Sequence, residues 1–364
     1  MKNPSPKDVE VVIKSYQDPY LKTDLFAANC IKEIVIEGAH VRVLIELGYP
    51  AEGLCKGIEQ LLSSKIGNVL GVDKVEVKVG WSISTGLIQG KIEAMAEVKN
   101  IIAIASGKGG VGKSTTAANI ALALVAEGAR VGLLDADIYG PSMGKIFGIV
   151  DGQRPEIKNE KFFIPIEAYG IQLMSMAFLV TEDTPVVWRG PMVSGALQQL
   201  LSQTIWNKLD YLIVDMPPGT GDIQLTLAQK VPVTGSVIVT TPQDLALIDG
   251  KKGIEMFRKV DIPVLGIVEN MAIHVCSSCG HSEHLFGEGG GSRIAKAYDV
   301  ELLGSLPLSM MIGKQADSGK PTVAAEPESQ ITMIYRDIAR HLTAELSMRN
   351  NSHPSVPKMS MSND

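Results

Sequence analysis

The sequence predicts an α/β protein, a mostly parallel sheet covered by helices on both faces, with a small α+β domain in front of it. Three observations carry that expectation. From Ile101 onward, short apolar strands alternate with helical segments. A glycine-rich segment joins the first of those strands to the helix that follows. Before residue 83 the pattern differs, with apolar and polar residues alternating at hairpin spacing.

A chain of 364 residues exceeds one average domain, and a hydrophobic share of 45% suffices for a large core. Aromatic residues make up only 5%, so that core is aliphatic, as in sheets buried under helices. The small domain is expected over residues 1–82. Ile31 to Leu47 alternates around a Glu37-Gly38 turn, the mark of a hairpin. Pro50 to Ile66 places Leu54, Ile58, Leu61 and Leu62 on one side of a helix. Val75, Val77 and Val79 then alternate with Lys74, Glu76 and Lys78 as a half-buried strand. Residues 83–99 read as a linker.

The large domain is expected over residues 100–348. Ile101–Ala105, Val131–Leu134, Tyr211–Val214, Ser236–Thr240 and Val264–Val268 are near-continuous apolar runs, which signify parallel strands buried on both faces. Ser114 to Glu127, stopped by Gly128, is the first crossover helix, and Gln330 to Met348 a late one. Residues 349–364 read as a polar, disordered tail.

The net charge of −6 offers no electrostatic footing for nucleic acid. No apolar run is long enough to span a bilayer, and Met1 to Glu10 has no signal-peptide core, so a soluble cytoplasmic protein is expected. The four cysteines, Cys30, Cys55, Cys276 and Cys279, are too few for a disulfide framework and point to metal or redox chemistry.

The most specific segment is Gly107-Lys108-Gly109-Gly110-Val111-Gly112-Lys113-Ser114-Thr115. It follows a strand and opens a helix, the context that distinguishes a P-loop from an ordinary glycine turn. Its backbone N–H groups can converge on phosphate oxygens at a helix N-terminus. Lys113 is expected to reach the β- and γ-phosphates of ATP, with Ser114 as a magnesium ligand. Two further strands end in acid: Leu133-Leu134-Asp135-Ala136-Asp137 and Tyr211-Leu212-Ile213-Val214-Asp215. Ligands of open parallel sheets sit at these carboxyl ends, which makes plain helix capping the weaker reading for both aspartates. Cys276-Ser277-Ser278-Cys279 offers a half-site of thiolates. A [4Fe–4S] cluster takes four, which a two-fold dimer would supply. A mononuclear zinc site using His281 and His284, or a redox pair, are the rivals.

Lys108, placed just after the first glycine, resembles the deviant Walker A lysine of the MinD, ParA and nitrogenase iron-protein group. Together with Asp135 to Ser142, Trp188-Arg189-Gly190-Pro191, Asp215 to Asp222 and Cys276/Cys279, the chain resembles the Mrp/ApbC iron–sulfur carrier ATPases over roughly 100–344. The resemblance implies a homodimer that hydrolyses ATP slowly, holds a labile [4Fe–4S] cluster at its interface, and passes it from scaffold proteins to apo-proteins, without nucleic-acid or membrane partners. It implies that Lys108 reaches across the interface to the partner's nucleotide and that Asp137 orients the attacking water. Asp215 would hold magnesium through water, Pro217 to Asp222 would sense the γ-phosphate, and Asn270 and Pro307 would flank the base. Asp135 is left between magnesium and structure. Residues 1–82 resemble the small domain fused to bacterial members, although the cysteine usual after its hairpin is absent from Gly48 to Gly53 and Cys55 falls inside the helix. The main alternative is a MinD/ParA-like positioning ATPase with a structural zinc or redox pair. A metabolic kinase using the same loop would need a substrate site that the sequence does not display.

Overall fold

The computed structural model describes residues 4–86, 95–179, 190–276 and 278–352. The N-terminal unit opens with a helix α1 (Pro6–Lys14) that the sequence reading did not foresee. Strands β1 (Ile31–Glu37) and β2 (His40–Leu47) form the hairpin, helix α2 (Glu52–Gly67) crosses over, and β3 (Lys74–Trp81) returns parallel to β2. Val9 and Ile13 of α1 and Ile58, Leu62 and Ile66 of α2 cover the apolar face of β2. Nine residues of helix make α1 too short to hold in isolation, so tertiary packing decides it.

The large sheet has eight strands. In chain order these are β4 (Val98–Ala105), β5 (Val131–Asp135), β6 (Ile166–Ala168), β7 (Ile171–Ser175), β8 (Leu209–Asp215), β9 (Gly235–Thr240), β10 (Val264–Glu269) and, after a small hairpin, Leu302–Ser305. Their spatial order is β6-β7-β5-β8-β4-β9-β10 and then Leu302–Ser305. All pair in parallel except β6, an antiparallel edge strand. Every residue of β5, β8, β9 and β10 is buried, which explains their unbroken apolar composition. The register sets Asp215 opposite Asp135, at the same end of the sheet from which β4 releases the glycine-rich loop.

Helix α3 (Lys113–Ala126) is buried from Thr116 to Leu124, packed between the sheet and the last helix, α4 (Gln330–Ser352). A helix whose Ala117 to Ala126 stretch is apolar but for Asn119 belongs in such a place. Two expected boundaries shift. Val98 already pairs with Leu209, so the sheet begins inside the expected linker, whose residues 87–94 lie outside the described residues. The late helix passes Met348 and runs through Ser352, with Arg349 bonded to Glu345 at 2.7 Å, so the first four residues assigned to the tail are helical. Residues 353–364 lie outside the described residues. Among the described residues, no helix is long and apolar enough to cross a membrane.

The two units meet around Glu127, the residue that follows α3. Its side chain is fully buried and accepts from Arg336 Nε and Arg340 Nη2, both at 2.6 Å. The other carboxylate oxygen accepts from the Gly53 N–H at 3.1 Å, at the start of α2. Tyr20 donates to Asp337 at 2.8 Å, and Ala344 of α4 joins the N-terminal core. Removing one member of a buried ionic cluster strands the others, at a cost on the order of 3 kcal/mol. Glu127→Ala is therefore expected to lower the urea midpoint of the whole chain, whereas Glu345→Ala, on an exposed pair, is expected to leave it within error. Equal midpoints for Glu127→Ala and the unmodified chain would show that this cluster does not hold the units together.

Candidate nucleotide site and cysteine hairpin

Strand β4 ends at Ala105 and the phosphate loop begins at once. Gly110 and Gly112 have φ of +81° and +80°, a region open to glycine and costly to other residues. Gly107 is constrained differently, because a Cβ there would collide with the Asp249 carbonyl. Asp249 lies on α5 (Asp244–Lys259), the helix packed beside the loop. The Ser106 carbonyl accepts from the Gly219 N–H at 2.8 Å, which ties the 217–222 segment to the phosphate loop. Gln224 Nε2 donates to the Pro218 carbonyl at 2.6 Å and braces the same segment from below.

Lys113 is only 6% exposed, and its ammonium lies 2.5 Å from Asp215 Oδ1. Ser114 Oγ donates to Asp215 Oδ2 at 2.6 Å and sits 3.2 Å from the same ammonium. Burial pushes the Asp215 carboxyl above its ordinary range, with the Lys113 charge acting in the opposite sense. The structure thus brings Lys113, Ser114 and Asp215 into one contact, drawn from two strand ends.

Asp135 and Asp137 occupy different environments. Asp135 is fully buried and accepts from the backbone N–H groups of Asp137, Ser142 and Met143 at 3.0–3.1 Å and from Ser175 Oγ at 3.2 Å. Burial, followed by the Asp215 charge, pushes its pKa up to about 7. Its oxygens are spent on organising the loop that follows β5. Asp137 projects from that loop, accepts from the Gly140 N–H at 3.3 Å, and faces a cavity of about 420 Å³. Lys108, Gly109, Gly110 and Gly112 to Thr115 form one wall of this cavity, and Ser142, Lys145, Ala316 and Asp317 form the other. The second wall was not legible in the sequence, since no motif marks 310–319. Its two segments are welded by glycines: a Cβ on Gly148 would stand 2.8 Å from the Gly319 carbonyl, and one on Gly319 2.5 Å from Gly148 Cα. Lys145 and Asp317 are more than 70% exposed and 3.9 Å apart, a pair worth about 0–1 kcal/mol that a ligand can displace.

Lys108 is exposed at the rim, and its ammonium meets no partner among the described residues. Val111 is buried, and its carbonyl accepts from Asn270 Nδ2 at 2.9 Å. Asn270 therefore braces the phosphate loop and does not line the cavity; nor does Pro307, which lies half-buried between Leu306 and Leu308, both bonded to the 269–273 segment. Trp188 and Arg189 lie outside the described residues.

Cys276 and Cys279 occupy the tip of a hairpin formed by His274–Val275 and Ser282–Glu283. The Cys276 N–H donates to the His281 carbonyl, and the Gly280 N–H returns to the Cys276 carbonyl, each at 2.9 Å. The backbone N–H of Cys279, then that of Ser278, stabilise the Cys276 thiolate and hold its pKa below the usual thiol value. Ser277 lies outside the described residues. His284 directs Nδ1 at the Ala272 carbonyl (2.9 Å), and His281 faces Glu283 at 3.4 Å. Among the described residues no group of three or more His, Cys, Asp or Glu is set to hold a metal ion. Cys30 and Cys55 belong to the N-terminal unit, where burial pushes both thiols up to about 11.

A parallel sheet whose central strand opens through a glycine loop into a helix, with lysine, serine and a strand-end aspartate in contact there, defines a P-loop NTPase. Residues 97–343 match the family model described as NUBPL iron-transfer P-loop NTPase, within ParA, and residues 6–79 match that of an iron–sulfur cluster assembly protein. The chain belongs to this iron-transfer P-loop NTPase family. It is similar to an iron–sulfur cluster carrier protein of Pseudomonas fragi, 66% identical over 77% of this chain and 97% of that one. It is also similar to one of Escherichia coli K12, 47% identical over 92% of this chain and 90% of that one. Among solved structures, it resembles a nucleotide-binding protein of Archaeoglobus fulgidus in complex with ADP. That match has 38% identity and a TM-score of 0.57, covering 65% of this chain and 92% of that one. Pyrococcus furiosus MinD shares the fold at 22% identity and a TM-score of 0.52, over 66% of this chain and 97% of that one.

The thiol environments separate the four cysteines in reactivity. At pH 8, iodoacetamide is expected to label Cys276 first and to spare Cys30 and Cys55, whose raised pKa values leave almost no thiolate. Peptide mapping across pH 7–10 checks this, and labelling of Cys30 as fast as Cys276 would contradict it.

Proposed function

We propose that the protein is an ATP-hydrolysing carrier that receives a labile [4Fe–4S] cluster as cargo and delivers it to apo-proteins in the cytoplasm. The observation that carries this reading is the cysteine pair at the tip of the hairpin after β10, with Cys279 exposed and the Cys276 thiolate favoured by backbone N–H groups, in an iron-transfer P-loop NTPase. Two thiolates per chain are half the set such a cluster takes, so two chains would share it across a two-fold axis. The Pseudomonas fragi and Escherichia coli relatives are iron–sulfur cluster carrier proteins, which supports the same reading. A reducing cytoplasm would keep the pair as thiols.

The nucleotide site divides its work among named side chains. Phosphate oxygens would compete with Asp215 for the Lys113 ammonium and draw it toward the β- and γ-phosphates. Ser114 Oγ and Asp215 Oδ2, hard oxygens 2.6 Å apart, suit magnesium, with Asp215 reaching the ion through water. Bound there, the ion would neutralise phosphate charge. Asp137, held out over the cavity by the loop that Asp135 organises, would orient the attacking water. Lys108 is free to reach a nucleotide on a second chain and supply positive charge in trans.

Two measurements test this division. Lys113→Ala is expected to lose ATP binding and hydrolysis together, whereas Asp137→Ala keeps binding within a few-fold and loses hydrolysis; equal loss of binding in both would refute it. After anaerobic reconstitution, Cys276→Ser or Cys279→Ser is expected to lose stable [4Fe–4S] while retaining nucleotide affinity. A full iron and sulfide complement in either variant would exclude the shared site.

A further inference from the structure

The cavity wall that faces the phosphate loop carries two charged side chains with no part in hydrolysis. Lys145 lies in the short helix Met143–Ile146, and Asp317 is the last residue of the helix Met310–Asp317. A carboxylate at a helix C-terminus meets the negative end of the macrodipole, which costs stability. The Asp317 carboxylate accepts no hydrogen bond among the described residues, and the Lys145 ammonium stands 3.9 Å away, beyond hydrogen-bond length. The main chain beneath this loose pair is nevertheless firmly held. Tyr169 Oη donates to the Gly319 carbonyl at 3.0 Å, and Gly319 packs against Gly148 with no room for a Cβ. Ser318 Oγ and the Lys320 N–H both donate to the Gln315 carbonyl, at 2.8 and 3.0 Å. The buried Gln315 amide is itself fixed by Glu326 at 2.8 Å. The fold thus sets two opposite charges in place without bonding them to each other.

The other carboxylates of the cleft are committed. Asp215 is bonded to Lys113 and Ser114, Asp135 takes four donors, and Asp137 projects from the loop after β5. Asp317 remains, across the cavity from Ser114 and Thr115 at the start of the helix that receives phosphate. Beside its phosphates, a ribonucleotide carries the vicinal 2′- and 3′-hydroxyls of ribose, two donors suited to the two oxygens of one carboxylate. We propose that Asp317 recognises these hydroxyls and that Lys145 pairs with phosphate, so that this wall selects ribonucleotides over deoxyribonucleotides. The inference rests on the ATP site proposed above and goes further by naming what its second wall reads. Each charge neutralises the other until a ligand offers a hydroxyl pair to one and an anion to the other, so neither is stranded.

The test is calorimetric titration of the full chain, with Mg²⁺, by ADP, 2′-deoxy-ADP, 3′-deoxy-ADP, inosine diphosphate and pyrophosphate. Diphosphates keep hydrolysis out of the measurement. The unmodified protein is expected to bind ADP about tenfold more tightly than either deoxy analogue, the order of one hydrogen bond to a charged group. Asp317→Ala is expected to bind all three within about twofold of one another, and pyrophosphate no more weakly than the unmodified protein does. Lys145→Ala is expected to weaken ADP, its deoxy analogues and pyrophosphate alike, by up to about fivefold, with the sugar preference kept. Asp317→Asn, which keeps the shape without the charge, is expected to lose most of the preference and decides the question if the alanine variant fails to fold. Equal affinities for ADP and its deoxy analogues, or a preference that survives in the Asp317 variants, would overturn the assignment and leave the phosphate site intact. A preference for ADP over inosine diphosphate that vanishes in their place would assign Asp317 to the base amine, and equally overturn it. An unmodified protein that binds neither pyrophosphate nor ADP would overturn the nucleotide site itself, and this assignment with it.

Discussion

An ammonium group 6% exposed cannot stand without a counter-charge, and Asp215 supplies it at 2.5 Å. That contact joins the helix after one strand to the tip of the neighbouring strand. It explains why the carboxyl ends of β4 and β8 must be level, and hence why both strands are fully committed to a buried parallel register. The 217–222 segment leaves directly from Asp215 and returns to Ser106, so anything that draws Lys113 away acts at the root of that segment. The cavity, the register and the adjacent loop all follow from one buried charge pair.

Helix α3 extends this arrangement through the molecule. It starts at Lys113 and stops at Glu127, whose carboxylate collects two guanidinium groups from α4 and the Gly53 N–H in the first turn of α2. The N-terminal unit is consequently fastened to the far end of the same helix that grips phosphate. Its isolated thiols, Cys30 and Cys55, are pushed up by burial, in contrast to Cys276, whose neighbouring N–H groups favour thiolate.

Much of this was legible in the sequence because it depends on local rules. Alternation revealed the hairpin at 31–47, apolar runs revealed the parallel strands, and the glycine spacing revealed the phosphate loop. What stayed hidden depends on distant partners. Helix α1 places Val9 and Ile13 at helical spacing behind Pro6, but nine residues carry too short a signal to fix a helix without the core they cover. Glu127 reads as an ordinary charged residue at a helix end until Arg336 and Arg340 arrive from more than two hundred positions away. The wall built by Lys145 and Asp317 has no motif at all. The bond from the Asn270 amide to the Val111 carbonyl joins residues 159 positions apart and has no local signal either. Asp135, unassigned in the sequence, is explained by the four donors that surround it.

The paired glycines at 148 and 319 have a wider consequence. The segments carrying Lys145 and Asp317 approach there main chain to main chain, with no room for a Cβ on either glycine. The two segments of that wall are thus set against each other by main-chain contact at this point. Replacing Lys145 or Asp317 can retune charge at the mouth, whereas a side chain at either glycine would push the two segments of that wall apart.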